Sequence, residues 1–207
     1  MTTKELIISK ATELFLTLGF KSVTMDDIAQ QIGISKKTLY IHFQNKTTLI
    51  EEATFELFAK ISSGIDQICD HSVNPIEELY DVKRFVMSHM KNERMSPQFQ
   101  LKKYYPEIHD LLWKNQFDKM YLCIQNSIRK GIDTGLFRQE IDPDFTARLY
   151  FNGMMGIRDE RIFPPASFTL PYLENSFLEY HLRALVTEKG MSILQDFISN
   201  NHLQNEK

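Results

Sequence analysis

The chain has 207 residues, a net charge of −3 and 43 % hydrophobic residues. That length and apolar fraction give one large domain, or a small head on a larger body, and exclude wholesale disorder. The mildly acidic balance excludes nucleic-acid binding through the global field, so any such contact must come from a local basic patch.

Helical periodicity appears almost at once. Ile7, Ala11, Leu14, Phe15 and Leu18 stack on one helix face, and Gly19 ends the run. Thr24 is a good N-cap for "MDDIAQQI", with Asp26 and Asp27 in the first turn where the helix dipole favours them. Met25, Ile28, Ala29 and Ile32 are its apolar face. Gly33 interrupts, Ser35 caps again, and Leu39, Tyr40 and Phe43 continue a short third helix.

Asn45 caps a long fourth helix lined by Leu49, Ala53, Leu57, Ile61, Ile65 and Ile68, running to about Asp70. "HSVNP" breaks the chain, and Pro75 suits a helix start. "IEELYDVKRFVMSHMKNE" is helical by period, with Leu79, Val82, Val86 and Met90 inside. After "RMSP" a short helix reaches Tyr105. A long one then carries Ile108, Leu111, Leu112, Ile124, Ile128 and Ile132 to Gly135.

"DFTARLYFNGMMGIRDER" is helical despite Gly153 and Gly156, which close helix packing would explain. Two further helices cover about Tyr172 to Val186 and Thr187 to Asn200, and the tail "HLQNEK" is expected to fray. With no strand alternation and no internal repeat, the fold class is all-α.

Cys69 and Cys123 lie far apart in sequence and outside any C-x-x-C pair, which argues against a disulfide scaffold and a structural zinc site. The N-terminus lacks a signal-peptide core, and no apolar run reaches the roughly eighteen residues of a membrane span. A cytoplasmic location and no membrane partner are expected.

Charge is unevenly distributed. Residues 1 to 46 hold six lysines against four acids, and the remainder is acidic. Within "TMDDIAQQIGISKKTLYIHF", helix, glycine turn and helix have the shape of a helix-turn-helix, whose second helix can enter a major groove. Ser35, Lys36, Lys37 and Thr38 open that second helix, with hydroxyl and ammonium groups suited to phosphate oxygens and guanine acceptors. Tyr40 and His42 follow on its exposed side. Lys46 begins the next helix, where free N–H groups favour an anion.

The run from Thr24 to Leu49, "TMDDIAQQIGISKKTLYIHFQNKTTL", resembles the DNA-binding head of the TetR (tetracycline-repressor-like) family of bacterial transcriptional regulators, as does the preceding "ATELFLTLGFKSVT". The motif covers about the first fifty residues; the rest is similar only in architecture. The resemblance implies that Thr24, Thr38, Tyr40 and His42 hold the DNA backbone beside Lys46. Lys36 and Lys37 fall where bases are read. Lys37 departs from the family's usual small residue, and Asn45 replaces the commoner serine. The first arginine is Arg84, so the head cannot read bases with a bidentate guanidinium, and Lys37 is expected to reach a guanine edge.

The implied organisation is a DNA-binding head at residues 1–46 and a ligand-binding, dimerising body at 47–207. Homodimerisation is expected along the stripe of Tyr150, Met154 and Ile157 beside Gly153, and along Leu173, Phe177, Leu178, Leu182 and Leu185. A pocket for a small-molecule effector is expected among Tyr104, Tyr105, Trp113, Phe117, Tyr121, Phe151 and Met155, with Arg158 available to an anion or to a neighbouring acid. No G-x-S-x-G, H-E-x-x-H or phosphate loop is present, so no enzyme activity, cofactor or metal is expected. The reading is a ligand-responsive repressor of a palindromic double-stranded DNA operator; the alternative is a DNA-binding regulator or architectural factor controlled by a protein partner.

Overall fold

The computed structural model describes residues 2–89 and 97–205, and among these it has ten α-helices and no strand beyond an isolated bridge between Phe137 and Val186. They are α1 (Thr3–Leu18), α2 (Met25–Ile32), α3 (Lys36–His42), α4 (Lys46–His71), α5 (Pro75–His89), α6 (Pro97–Tyr104), α7 (Pro106–Asp133), α8 (Pro143–Gly156), α9 (Leu170–Leu185) and α10 (Glu188–Asn205). The all-α class expected from the periodicity is what is found.

Helix starts follow local chemistry. Thr2 and Glu5 close a reciprocal capping box at the start of α1, and Gly19 ends that helix at φ 82°. Asn45 Oδ1 accepts the Thr48 N–H at 2.9 Å at the start of α4, as an N-cap should. Asp142 caps α8, and Pro143 supplies its first residue, where a missing N–H costs nothing.

Two compact units are present, each with its own core. The first comprises residues 1–65 and 85–116. Its core joins Ile7, Ala11 and Phe15 of α1, Ile28 of α2, Leu39 of α3, Phe43, Leu49 and Ile50 of α4, Leu101 of α6, and Ile108 and Leu112 of α7. Gln100 of α6 belongs here too: its Oε1 accepts the Lys21 N–H at 3.4 Å, and a Cβ on Gly19 would lie 2.4 Å from its Nε2. The N-terminal helices are thus packed directly against α6.

The second unit comprises residues 66–84 and 117–207. Its core is built from Ile76, Leu79, Ile124, Ile128, Phe137, Tyr150, Met154, Leu178, Leu182 and Leu194, among others. Lys130 Nζ meets the buried Glu78 carboxylate at 2.5 Å and the Ser72 carbonyl at 2.7 Å, so this buried acid is paired.

Several sequence expectations need correcting. Leu111, expected in the core stripe of α7, is 47 % exposed. α8 stops at Gly156, where the Ile157 N–H bonds back to the Gly153 carbonyl, so "RDER" is turn rather than helix. Gly153 does serve close packing, since a Cβ there would lie 2.2 Å from the Phe177 ring; Gly156 meets nothing within 4 Å. α10 continues to Asn205, past the expected end at about Asn200. Met90 and residues 91–93 of the expected fifth helix lie outside the described residues.

Gly131 accepts the Leu136 and Phe137 N–H groups on its carbonyl at 2.8 and 2.9 Å, and a Cβ on it would lie 2.1 Å from the fully buried Phe137 ring. Gly131→Ala is therefore expected to destabilise the protein by about 1–3 kcal/mol through overpacking, despite the roughly 1 kcal/mol that Ala gains in a helix. Chemical denaturation measures the difference.

Candidate nucleic-acid interface

α2 and α3 are each fixed by a cap and joined through one left-handed residue. At the start of α2 the Asp27 carboxylate accepts the Thr24 N–H and hydroxyl, both at 2.8 Å, while Thr24 Oγ1 accepts the Asp27 N–H at 3.1 Å. These backbone and side-chain bonds hold the Asp27 carboxyl below its ordinary range, with Lys46 adding a smaller attraction. Gly33 then turns the chain at φ 72°, ψ 29°, a conformation that suits glycine. Ser35 Oγ accepts the Thr38 N–H at 3.0 Å and lies 2.8 Å from the Thr38 hydroxyl, capping α3.

Leu39 and Phe43 are fully buried, which anchors α3 by one face. The other face is open: Lys36, Lys37, Tyr40, Ile41 and His42 are exposed. The first turn of α3 contains no acid, and neither does the first turn of α4. Neither first turn supplies a carboxylate of its own to the helix dipole.

The two lysines differ. Lys36 Nζ contacts both oxygens of Asp26 on α2 at 2.9 Å and lies 6.0 Å from the Tyr40 ring, and the carboxylate raises its pKa. Lys37 has no carboxylate at salt-bridge distance among the described residues. Lys46, at the first turn of α4, is half-buried, and burial lowers its pKa. Asp26 is a neighbour that pattern reading missed, because its distance from Lys36 is set by the turn and not by helical spacing.

The eight candidate effector residues divide between the two units. Tyr104, Tyr105 and Trp113 belong to the first unit, the others to the second. Tyr105 packs edge-on to Phe20 at 6.2 Å, and burial raises its pKa. Tyr104 and Trp113 are 41 % and 46 % exposed. Phe117, Tyr121 and Phe151 do meet: Phe117 stacks on Tyr121 at 5.7 Å and packs edge-on to Phe151 at 5.1 Å. Tyr121 donates to Asp144 at 2.6 Å, which raises its pKa, and Arg148 lies 5.1 Å from its ring. Met155 is half-buried against the second core. Arg158 binds buried Glu174 at 2.5 Å, so its charge is already compensated by the neighbouring acid.

Sequence reading missed His181. It lies 4.7 Å from the Tyr150 ring, its Nε2 is buried without a hydrogen-bond partner among the described residues, and burial lowers its pKa to about 4. The residues expected to form a dimer stripe also proved to be core: Tyr150, Met154, Ile157, Leu173, Leu178, Leu182 and Leu185 are all buried within the chain. The exposed large apolar side chains on the same helices are Phe145 and Leu149 of α8 and Leu170, Tyr172 and Tyr180 of α9.

Residues 7–53 match the family model described as bacterial regulatory proteins, tetR family. The HTH-type transcriptional repressor KstR2 of Mycolicibacterium smegmatis is 28 % identical over 152 residues, spanning 69 % of this chain and 71 % of that one. Among solved structures, a transcriptional regulator from Cytophaga hutchinsonii aligns with a TM-score of 0.72 at 20 % identity, over 88 % of this chain and 98 % of that one. The SmeT–triclosan complex aligns at 0.64 and 18 % identity, over 91 % and 93 %. At those identities the structures establish the fold.

His181 gives a pH signature. Its folded pKa lies below the ordinary 6.5, so the unfolded chain takes up this proton first as pH falls. The stability it contributes is fully present above about 6.5 and declines towards pH 4, by at most about 1.4 kcal/mol per pH unit. His181→Phe should flatten that part of the curve in denaturation measured from pH 7 to 4.5.

Proposed function

From the match of residues 7–53 to the tetR-family model and the likeness to the repressor KstR2, we propose that the chain is a homodimeric transcriptional repressor of that family that grips a palindromic operator and is released by a small molecule. Residues 1–46 are the DNA-binding head and residues 47–207 the effector-binding and dimerising body. The observation that carries the reading is the open face of α3, one short helix buried by Leu39 and Phe43 and free of acid in its first turn.

In this reading α3 enters the major groove. Lys37 reaches a base edge; Thr38, Tyr40 and His42 hold phosphates; and the start of α4 at Lys46 grips another. Thr24 and Ser35 act mainly by fixing the two helices through their caps. Lys36 must exchange Asp26 for DNA before it can contribute. Two heads set about one or more 34–36 Å turns apart require a second copy of the chain. Phe145, Leu149, Tyr172 and Tyr180 are the apolar residues that a partner would cover.

Release by an effector is suggested by the likeness of fold to SmeT, solved in complex with triclosan, and by the grouping of Phe117, Tyr121 and Phe151 in the body. An effector acts only through different affinities for two conformations. The packing of α6 on the N-terminal helices through Gln100 and Leu101 is where such a change would be felt in the first unit. The protein is proposed to work in the cytoplasm, where the DNA is, and not as an enzyme.

Footprinting on the DNA upstream of its own gene, followed by a compound screen for release, tests the whole reading. A protected palindrome released by a compound supports it. Strong binding without sequence preference would point to an architectural factor, and an operator insensitive to every compound to control by a protein partner. Lys46→Ala should weaken binding to all sequences and lower the salt slope by about 0.9 per lost phosphate contact, whereas Lys37→Ala should relax preference at one base pair. Leu149→Glu should shift the protein towards monomer in sedimentation and weaken operator binding with it.

A further inference from the structure

Two cysteines that are 54 positions apart in sequence face each other in the second unit, with Cys69 Sγ of α4 and Cys123 Sγ of α7 separated by 3.5 Å. We propose that they form an oxidisable dithiol that a peroxide converts to an intramolecular disulfide, fixing the last turn of α4 to α7 and altering the DNA grip at the first turn of α4. The DNA half of this proposal rests on the regulator reading above; the disulfide half does not.

The contact is one of three in register. One turn earlier on each helix, Asp66 of α4 pairs with Lys119 of α7. One to two turns later, Lys130 of α7 reaches the carbonyls of Cys69 at 3.4 Å and Ser72 at 2.7 Å, while its ammonium is held by Glu78 at 2.5 Å. The sulphurs are therefore bracketed by polar clamps on both sides, which keeps them opposed. A separation near 3.5 Å is at the edge of the range in which reacting atoms are poised for attack. Both cysteines are free and half-buried, so neither is sealed from a small oxidant.

The environment divides the roles. The Cys123 S–H stabilises a thiolate on Cys69 and lowers its pKa, with burial and Glu78 opposing and the ammonium groups of Lys119 and Lys130 assisting. The same interaction, with burial, pushes the Cys123 thiol up. Cys69 is thus the attacking sulphur. Its thiolate attacks one peroxide oxygen, the O–O bond breaks, and the departing hydroxide takes up the thiol proton as water. Cys123 sulphur then attacks the sulfenic sulphur of Cys69. The S–S bond forms, the S–O bond breaks, and hydroxide leaves as the second water with the Cys123 proton. The two thiols lose two electrons and the peroxide gains them.

The consequence follows from the helix. α4 is continuous over 26 residues, about 39 Å, with Lys46 in its first turn and Cys69 in its last. The sulphurs must close from 3.5 Å to the roughly 2.05 Å of a disulfide. Fixing that end restricts the positions available to the rest of the helix.

The test treats the full-length protein with a small molar excess of hydrogen peroxide and reads intact mass, free thiols and operator affinity. Expected are a loss of about 2 Da reversed by dithiothreitol, a fall from two titratable thiols to none, a melting temperature raised by about 5–15 °C, and an operator affinity changed at least about fivefold. Cys123→Ser should trap a sulfenic acid on Cys69 that dimedone labels, and should lose the peroxide response while binding DNA normally when reduced. Mass gains of about 32 Da without the 2 Da loss, or crosslinking only between chains, would overturn the dithiol. A disulfide that forms but leaves operator affinity unchanged would overturn the regulatory half. Failure of both redox forms to bind any operator would instead count against the regulator reading, and the mass measurement would still decide the dithiol.

Discussion

The candidate interface depends on one constraint: α3 is seven residues long and cannot hold itself together. Isolated helices shorter than about 12–15 residues are marginal in water. Its conformation must therefore come from outside. Leu39 and Phe43 supply the anchor by burying completely against α1, α2 and α4, and Ser35 supplies the start. Gly33 sets the angle at which α3 leaves α2. With those fixed, the outward face presents Lys37, Tyr40 and His42 without further choice. Rigid presentation matters because groups held in place lose less freedom on binding. The same core includes Leu101, Ile108 and Leu112, so the head's packing continues into α6 and α7.

Electrostatics are handled as locally as the packing. An acidic chain repels phosphate at long range, yet the acids of the head are mostly engaged. Asp27 is used within the cap of α2, and Asp26 is paired to Lys36. Glu5 closes the capping box of α1, and Glu13 is held by Lys10. Lys21, Lys37 and Lys46 are the lysines of the head without a carboxylate at salt-bridge distance among the described residues. A screened solution of physiological ionic strength has a Debye length of only about 8 Å, so a patch of this size can act independently of the body's charge.

The head was legible in the sequence because its determinants are local. Thr24, Gly33, Ser35 and Asn45 are capping and turn residues that act on neighbours within four positions, and their roles could be assigned without tertiary information. The helices of the body were legible for the same reason, through their period. Which face of a helix meets which neighbour was not. The stripe of Tyr150, Met154 and Leu182 looked equally suited to a partner chain or to an intrachain core, and periodicity carries no information on that choice. Leu111 fits the stripe of α7 and is nevertheless exposed. Pairings between distant residues were not legible: Lys36 with Asp26 and Cys69 with Cys123 were not expected, and Arg158 was expected to meet an acid without Glu174 being identified as the one.

The engagement of Lys36 changes what base reading by this head can mean. Without arginine before Arg84, the head lacks the planar fork that matches two guanine acceptors at once. An ammonium is a point charge on a flexible stem, so its hydrogen bonds constrain direction less. With Lys36 held by Asp26, the proposed reading leaves one lysine per head for the base edges, Lys37, next to the Thr38 hydroxyl that Ser35 already engages. On the proposed reading, discrimination by direct contact is then modest for each half-site. Specificity must come largely from requiring two half-sites at fixed spacing and from the deformability of the DNA between them. Dimer geometry therefore matters more to operator choice than any single side chain. A body that shifts the two heads relative to each other would control the larger share of the binding energy difference.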